Sequence, residues 1–131
     1  METVLITGGA GFIGRNVTQR LLGRGYKVGI LDPLIEQVHQ GQRPADLSAD
    51  AEHIIGDVRD GAALERALAG CDAVIHLAAE VGVAQSTYAV ERYVSVNDLG
   101  TAAQFQALIN REARVSSVAT SRTGWRAKAM R

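Results

Sequence analysis

The amino-acid sequence predicts an α/β domain built on a doubly wound parallel sheet of about five strands in the order 3-2-1-4-5. Three observations carry this. Short β-branched runs alternate with stretches of helical periodicity along the chain. Those runs are almost continuously apolar, as strands covered on both faces must be, rather than alternating apolar with polar. And four of the 14 glycines fall between Gly8 and Gly14, where the first run gives way to the first helical pattern. Right-handed crossovers between parallel strands then impose the doubly wound order.

The elements follow in turn. Thr3 to Thr7 is a β-branched run that stops at glycines, hence a buried strand. From Phe12 to Leu22, the residues Phe12, Ile13, Val17, Leu21 and Leu22 recur at helical spacing, and Gly23 and Gly25 close that helix. Lys27 to Leu31 is a second strand ending at Asp32-Pro33, and residues 34–49, with Gly41 and Pro44, form a surface loop with room for one helical turn. Glu52 to Ile55 is a third strand, Ala62 to Ala69 a helix stopped by Gly70, and Ala73 to Leu77 a fourth strand. A long helical pattern runs from about Tyr88 to Asn110, with Val94, Leu99, Ala102, Phe105 and Ile109 near one face. Val115 to Ala119 supplies the fifth strand.

Composition narrows the function classes. With 131 residues the chain makes one domain or part of one. Fourteen basic residues balance 14 acidic ones, so no charge excess points to nucleic acid or an anionic membrane. The hydrophobic share of 47% against a charged share of 21% suits a chain that buries a core. One cysteine, Cys71, excludes an intrachain disulfide and a cysteine-rich zinc site, and its place before Asp72 and a strand reads as inert. No apolar run approaches the ~20 residues of a membrane span, and no signal-peptide pattern precedes Val4, so a soluble, cytoplasmic protein is expected. Residues 122–131 hold Arg122, Arg126, Lys128 and Arg131 and no acid, which leaves residues 1–121 at 10 minus 14, or −4. The domain is therefore expected over 1–121, followed by an atypical basic tail.

The segment Thr7-Gly8-Gly9-Ala10-Gly11-Phe12-Ile13-Gly14 carries the chemistry. Gly9, Gly11 and Gly14 satisfy G-x-G-x-x-G, and Gly8, Gly11 and Gly14 the looser G-x-x-G-x-x-G. One glycine of such a loop makes a tight turn, one lets backbone approach a pyrophosphate, and one lets the helix pack close to the strand. The N–H groups and dipole of the helix N-terminus then attract phosphates. A glycine-rich turn without a ligand would look the same, but Asp32 ends the second strand 18 positions after Gly14, near the ~20-residue spacing of a ribose-binding acid. A carboxylate there favours NAD over NADP; the alternative is that Asp32 only caps a turn beside Pro33. Arg15 could serve a 2′-phosphate or simply face solvent.

Taken together, Thr7 to Gly14, Asp32, Gly56-Asp57-Val58-Arg59-Asp60, His76-Leu77-Ala78-Ala79 and Val96-Asn97-Asp98-Leu99-Gly100-Thr101 resemble the extended short-chain dehydrogenase/reductases, specifically their NAD-dependent nucleotide-sugar epimerases and dehydratases. The likeness covers about residues 1–121 and implies a Rossmann domain holding NAD. It implies that Gly8, Gly11, Phe12, Ile13 and Gly14 form the phosphate loop, with Asp32 on the ribose and Asp57 and the Val58 backbone against the adenine. It further implies that Leu77, Ala78 and Ala79 line the cofactor at the end of strand four, and that Asn97 lies beneath the nicotinamide side. Each has a plainer reading too: Asp57 a turn residue, Asn97 a polar helix residue, His76 a satisfied structural histidine.

The family's chemistry is hydride transfer at a sugar carbon, with a tyrosine as acid/base and a lysine four residues on that lowers its pKa. Tyr26, Tyr88 and Tyr93 are followed at that spacing by Ile30, Arg92 and Asn97, so the pair is absent. Ser121 falls where the family's Ser or Thr positions the sugar hydroxyl. Beyond it Trp125-Arg126 stands in place of the family's Tyr-Gly, and the likeness stops. A truncated or frame-shifted product, an excised fragment, or a minimal binding domain would each account for this, the basic tail favouring the first two. The expectation is the NAD-binding part of a nucleotide-sugar epimerase or dehydratase, inactive alone. The alternatives are a non-catalytic NAD-binding or oligomerisation module and a flavin-binding or ligand-free Rossmann domain. Long helices commonly pair in this family, so a homodimer is expected through Leu99, Phe105 and Ile109.

Overall fold

The computed structural model describes residues 1–34, 44–80, 87–109 and 111–117. Strands β1 (Thr3–Thr7), β2 (Lys27–Asp32), β3 (Glu52–Ile55), β4 (Ala73–His76) and β5 (Arg114–Ser117) form one sheet in the order β3-β2-β1-β4-β5, and every neighbouring pair is parallel. The doubly wound order expected from the sequence is the observed one. Helix α1 (Phe12–Leu22) packs on one face and α2 (Gly61–Leu68) on the other.

Alternation along β1 divides the core. Leu5 faces Leu31, Val74 and the α2 residues Ala63, Leu64, Ala67 and Leu68, whereas Val4 and Ile6 face Val28, Ile30 and the α1 residues Val17, Leu21 and Leu22. Both faces of β1 are therefore dry, which is why its sequence is apolar without a break. The 34–49 segment is not all surface, as the sequence suggested. Leu47, with Ala51 just beyond it, is buried in the α1-side cluster, since the β2–β3 crossover must cover apolar sheet that α1 leaves open.

Helix α2 starts one residue before the expected point because Asp60 caps it, accepting hydrogen bonds from the N–H groups of Ala62 (3.0 Å) and Ala63 (3.3 Å). Asp60→Ala is expected to cost about 1 kcal/mol, read as a shift in the urea midpoint at unchanged slope.

The long helical pattern is a run of three pieces: α3 (Val90–Val94), a π-helical segment (Ser95–Leu99) and α4 (Gly100–Leu108). The residues turned inward are Val96, Gly100 and Gln104, four apart. The apolar residues that the sequence grouped near one face lie on the outward side, with Leu99 61% and Ile109 59% exposed and Phe105 half-buried. The reason is Gly100. A Cβ there would stand 2.7 Å from Val58 Cγ2, so the side of the helix with no side chain must meet the sheet layer.

Candidate functional site

The carboxyl ends of β1, β2 and β4 converge on the glycine turn. Gly8 sits at φ +71°, its N–H donates to the Leu31 carbonyl (2.8 Å) and its own carbonyl accepts from Gly11 N–H (3.2 Å). A Cβ on Gly8 would lie 2.8 Å from the Ala78 nitrogen. Gly14 solves a different problem: a Cβ there would come within 2.5 Å of Gly9 Cα, so it sets the approach of α1 to the turn. Gly9 makes room for the Ile30 side chain, whereas Gly8, Gly11 and Gly14 stand against backbone atoms.

Gly11 is the open position. A Cβ there would meet only the Gly8 carbonyl oxygen, at 3.3 Å. It is also the N-cap of α1, with no side chain bonding the first turn; the first intrahelical bond is Arg15 N–H to the Gly11 carbonyl. The N–H groups of Phe12, Ile13 and Gly14 thus have no intrahelical acceptor, and they form the positive end of the helix dipole. The Phe12 and Ile13 side chains are exposed. This donor set fits an anionic diphosphate.

Asp32 is buried at the end of β2 and does two things at once. One carboxylate oxygen accepts from Leu34 N–H (2.8 Å), the turn cap the plainer reading expected, and the other accepts from Ala10 N–H in the glycine turn (3.1 Å). Its carbonyl accepts from Gly56 N–H (3.2 Å), which brings the Asp57-Val58 segment to the same edge. Arg15 is ion-paired with Asp46, so its charge already has a carboxylate partner.

Asp57 is gripped by Arg59 in a fork, Nε to one oxygen (2.9 Å) and Nη2 to the other (2.6 Å), with Arg59 N–H adding a third bond (2.8 Å). The Arg59 side-chain bonds hold the Asp57 carboxyl below its ordinary range and, reciprocally, raise the guanidinium. Arg59 Nη1 also donates to Ser95 Oγ (2.9 Å), joining this loop to the π-helical segment. Val58 is buried against Gly100 and the α2 side of the core.

After β4, Leu77 N–H donates to the Thr7 carbonyl (2.9 Å), and Ala78 stands against Gly8. The Asn97 side chain bonds the Glu80 backbone in both directions, Oδ1 accepting at 2.8 Å and Nδ2 donating at 3.3 Å. The Glu80 carboxylate in turn holds Arg92 Nη2 (2.7 Å). His76, the register partner of Thr7, is buried with Nδ1 2.6 Å from Thr7 Oγ1 and Nε2 3.0 Å from Thr101 Oγ1. Burial pushes its ring pKa down to about 4, the Gln104 side chain pulling weakly the other way. Cys71 has its thiol pushed up by burial, with Asp72 and Glu52 adding to the effect.

Gly8, Gly11, Gly14, Asp32, Leu77, Ala78 and Asn97 therefore meet at one end of the sheet, linked to Asp57 through Gly56. Ser121 lies outside the described residues, as does the stretch 122–131. Among the described residues no group of three or more acids, histidines or cysteines is placed to hold a metal, and no helix is long and apolar enough to cross a membrane. Sequence reasoning assigned no role to Arg59 and Thr101, although both stand in its motifs, and left out Glu80 and Gln104. The Asn97/Thr101 spacing of four, one helical turn, was the available signal for Thr101.

Residues 4–124 match the model of the NAD dependent epimerase/dehydratase family. The dTDP-L-rhamnose 4-epimerase of Burkholderia thailandensis is 37% identical over 111 residues, covering 82% of this chain and 31% of that protein. The dTDP-glucose 4,6-dehydratase of Xanthomonas campestris pv. campestris is 38% identical over 112 residues, covering 82% and 32%. Among solved structures, the UDP-glucose 4-epimerase of Thermus thermophilus in complex with NAD superposes with a TM-score of 0.73 at 34% identity, covering 82% of this chain and 34% of that one. The chain spans about a third of the length of the curated relatives it matches.

Proposed function

Since the chain belongs to the NAD-dependent epimerase/dehydratase family, we propose that it binds NAD across the carboxyl ends of β1, β2 and β4 and serves as the cofactor-holding part of a nucleotide-sugar epimerase or dehydratase. The open helix end at Gly11, with its unpaired N–H groups and no capping side chain, is the observation that carries this reading. The N–H groups of Phe12, Ile13 and Gly14 hold the diphosphate, Asp32 accepts from the ribose hydroxyls, and Asp57 with the Val58 backbone borders the adenine. Leu77 to Ala79 and Asn97 flank the nicotinamide. When bound, NAD supplies the acceptor and donor of a hydride at a sugar carbon. Ser121 positions a sugar hydroxyl in this scheme. No tyrosine of the sequence has a lysine four places on, so these residues hold the cofactor and leave the proton transfer to groups outside them.

A second reading, a non-catalytic NAD-binding or oligomerisation module, draws on that same missing pair and on the exposed apolar residues along α4 and its two ends. Leu99 and Ile109 are exposed and Phe105 half-buried there, and self-association through them would bury that surface. Light scattering behind size exclusion should then give a dimer at tens of micromolar; a clean monomer rejects it.

Calorimetric titration tests the cofactor reading. NAD should bind more tightly than NADP, whose 2′-phosphate would meet the Asp32 carboxylate. Asp32→Asn loses the charge and keeps one acceptor oxygen, so its NH2 group faces either Ala10 N–H or Leu34 N–H. It should weaken NAD about tenfold, the worth of one charge-assisted hydrogen bond, and narrow the gap to NADP. Tighter binding of NADP to the wild type, or no binding of either, overturns the assignment.

A further inference from the structure

We propose that His76 is a positioning residue for the dinucleotide: locked in one tautomer between Thr7 and Thr101, it fixes the backbone from Leu77 to Glu80 that runs past the cofactor. The inference rests on the NAD-binding reading above and adds a residue to it.

The hydrogen bonds have only one consistent direction. The Thr101 hydroxyl donates to the Asn97 carbonyl, so the oxygen it turns to His76 is an acceptor and the Nε2 proton fills it. Nδ1 is then a lone pair, and it accepts the Thr7 hydroxyl proton. The Thr7 oxygen in turn faces Ala78 N–H at 3.5 Å. At the other end, Asn97 bonds the Glu80 backbone through both atoms of its amide. The path starts on Ala78, passes through β1, the imidazole and α4, and closes on Glu80. Both ends grip the same short stretch of chain.

That stretch also touches the glycine turn, because the Ala78 backbone stands where a side chain on Gly8 would be. A shift of Ala78 is therefore felt at the diphosphate loop. Among the described residues the groups that bond the ring are uncharged: Thr7 from β1, and Thr101 and Gln104 from α4. The Glu80–Arg92 ion pair lies beyond Asn97. Of these groups only the Gln104 side chain favours a proton on the ring, and burial outweighs it; a proton on Nδ1 would also force the Thr7 hydroxyl to turn away from the ring.

Binding of NAD and of AMP to the full chain separates this role from ordinary core packing. AMP reaches Asp32 without spanning the diphosphate turn. Thr101→Val should weaken NAD at least tenfold and leave AMP within twofold, while Thr101→Ser, which keeps the hydroxyl, should stay within twofold of wild type for both. A change confined to stability lowers the two ligands together, and that result, or unchanged NAD affinity in Thr101→Val, overturns the proposal. Long-range 15N NMR on the wild-type chain adds a readout that no variant's folding can spoil: His76 should be the Nε2–H tautomer at pH 7, and an Nδ1–H tautomer or an imidazolium rejects the path. Wild type binding neither NAD nor AMP removes the cofactor reading itself.

Discussion

Gly8→Ala is expected to destabilise the chain by about 3 kcal/mol, near 10 °C in Tm, and to abolish NAD binding. Two costs add. The left-handed backbone at φ +71° costs an L-residue roughly 1–2 kcal/mol. The new methyl would also stand 2.8–2.9 Å from the Ala78 nitrogen and Cα and the Leu77 carbonyl carbon, which are backbone atoms that cannot rotate aside, so an overpacking cost of roughly 1–3 kcal/mol follows. Gly25 isolates the first cost. It sits at φ +85° with nothing within 4 Å of its would-be Cβ, so Gly25→Ala should lose only about 1 kcal/mol and keep its ligand. Gly11→Ala brings out the function, since its methyl would meet only the Gly8 carbonyl; stability should fall by about 1 kcal/mol for the poorer N-cap while NAD affinity collapses. Urea denaturation and calorimetry on the three variants check the ranking, and equal losses for Gly8→Ala and Gly25→Ala would refute it.

The same glycines show what could be read without coordinates. Their spacing located the turn, and the β-branched runs located all five strands in the right order, because a buried parallel strand leaves a local mark in composition. Asp32 was legible in the same way, although its two roles, turn cap and brace for the glycine loop, were set against each other when in fact one carboxylate has oxygens for both. What escaped depends on contacts between distant segments. Val94, Leu99 and Ile109 marked one apolar face of the long helix, but that its opposite side packs inward follows only from the close approach of Val58 to Gly100. The π-helical segment at Ser95–Leu99 left no mark in the sequence at all. His76 read as a structural histidine, for its partners Thr7 and Thr101 lie 69 and 25 positions away.

Stability should fall by about 3 kcal/mol as the pH drops from 7.5 to 4, and His76 is the reason. The folded chain holds the ring near pKa 4 against an ordinary value of 6.5, because burial penalises the imidazolium. Between those values the unfolded chain binds a proton that the folded one refuses, so protonation pulls the equilibrium toward unfolding. The stabilisation is complete above pH 6.5, declines through the interval, and is spent near pH 4; 2.5 units at about 1.36 kcal/mol each set its size. Asp57 acts lower on the scale. Its carboxyl is held below 3.8 by Arg59, so its contribution persists through the His76 interval and disappears only as the pH falls further. The two are thus separable in one series of denaturation midpoints. His76→Gln should begin less stable at pH 7.5, having lost the bonds to both threonines, yet show a flatter profile between pH 6.5 and 4 than the wild type. Parallel profiles for the two proteins over that interval would mean that the ring takes its proton as readily folded as unfolded, and the threonine-locked tautomer could not stand.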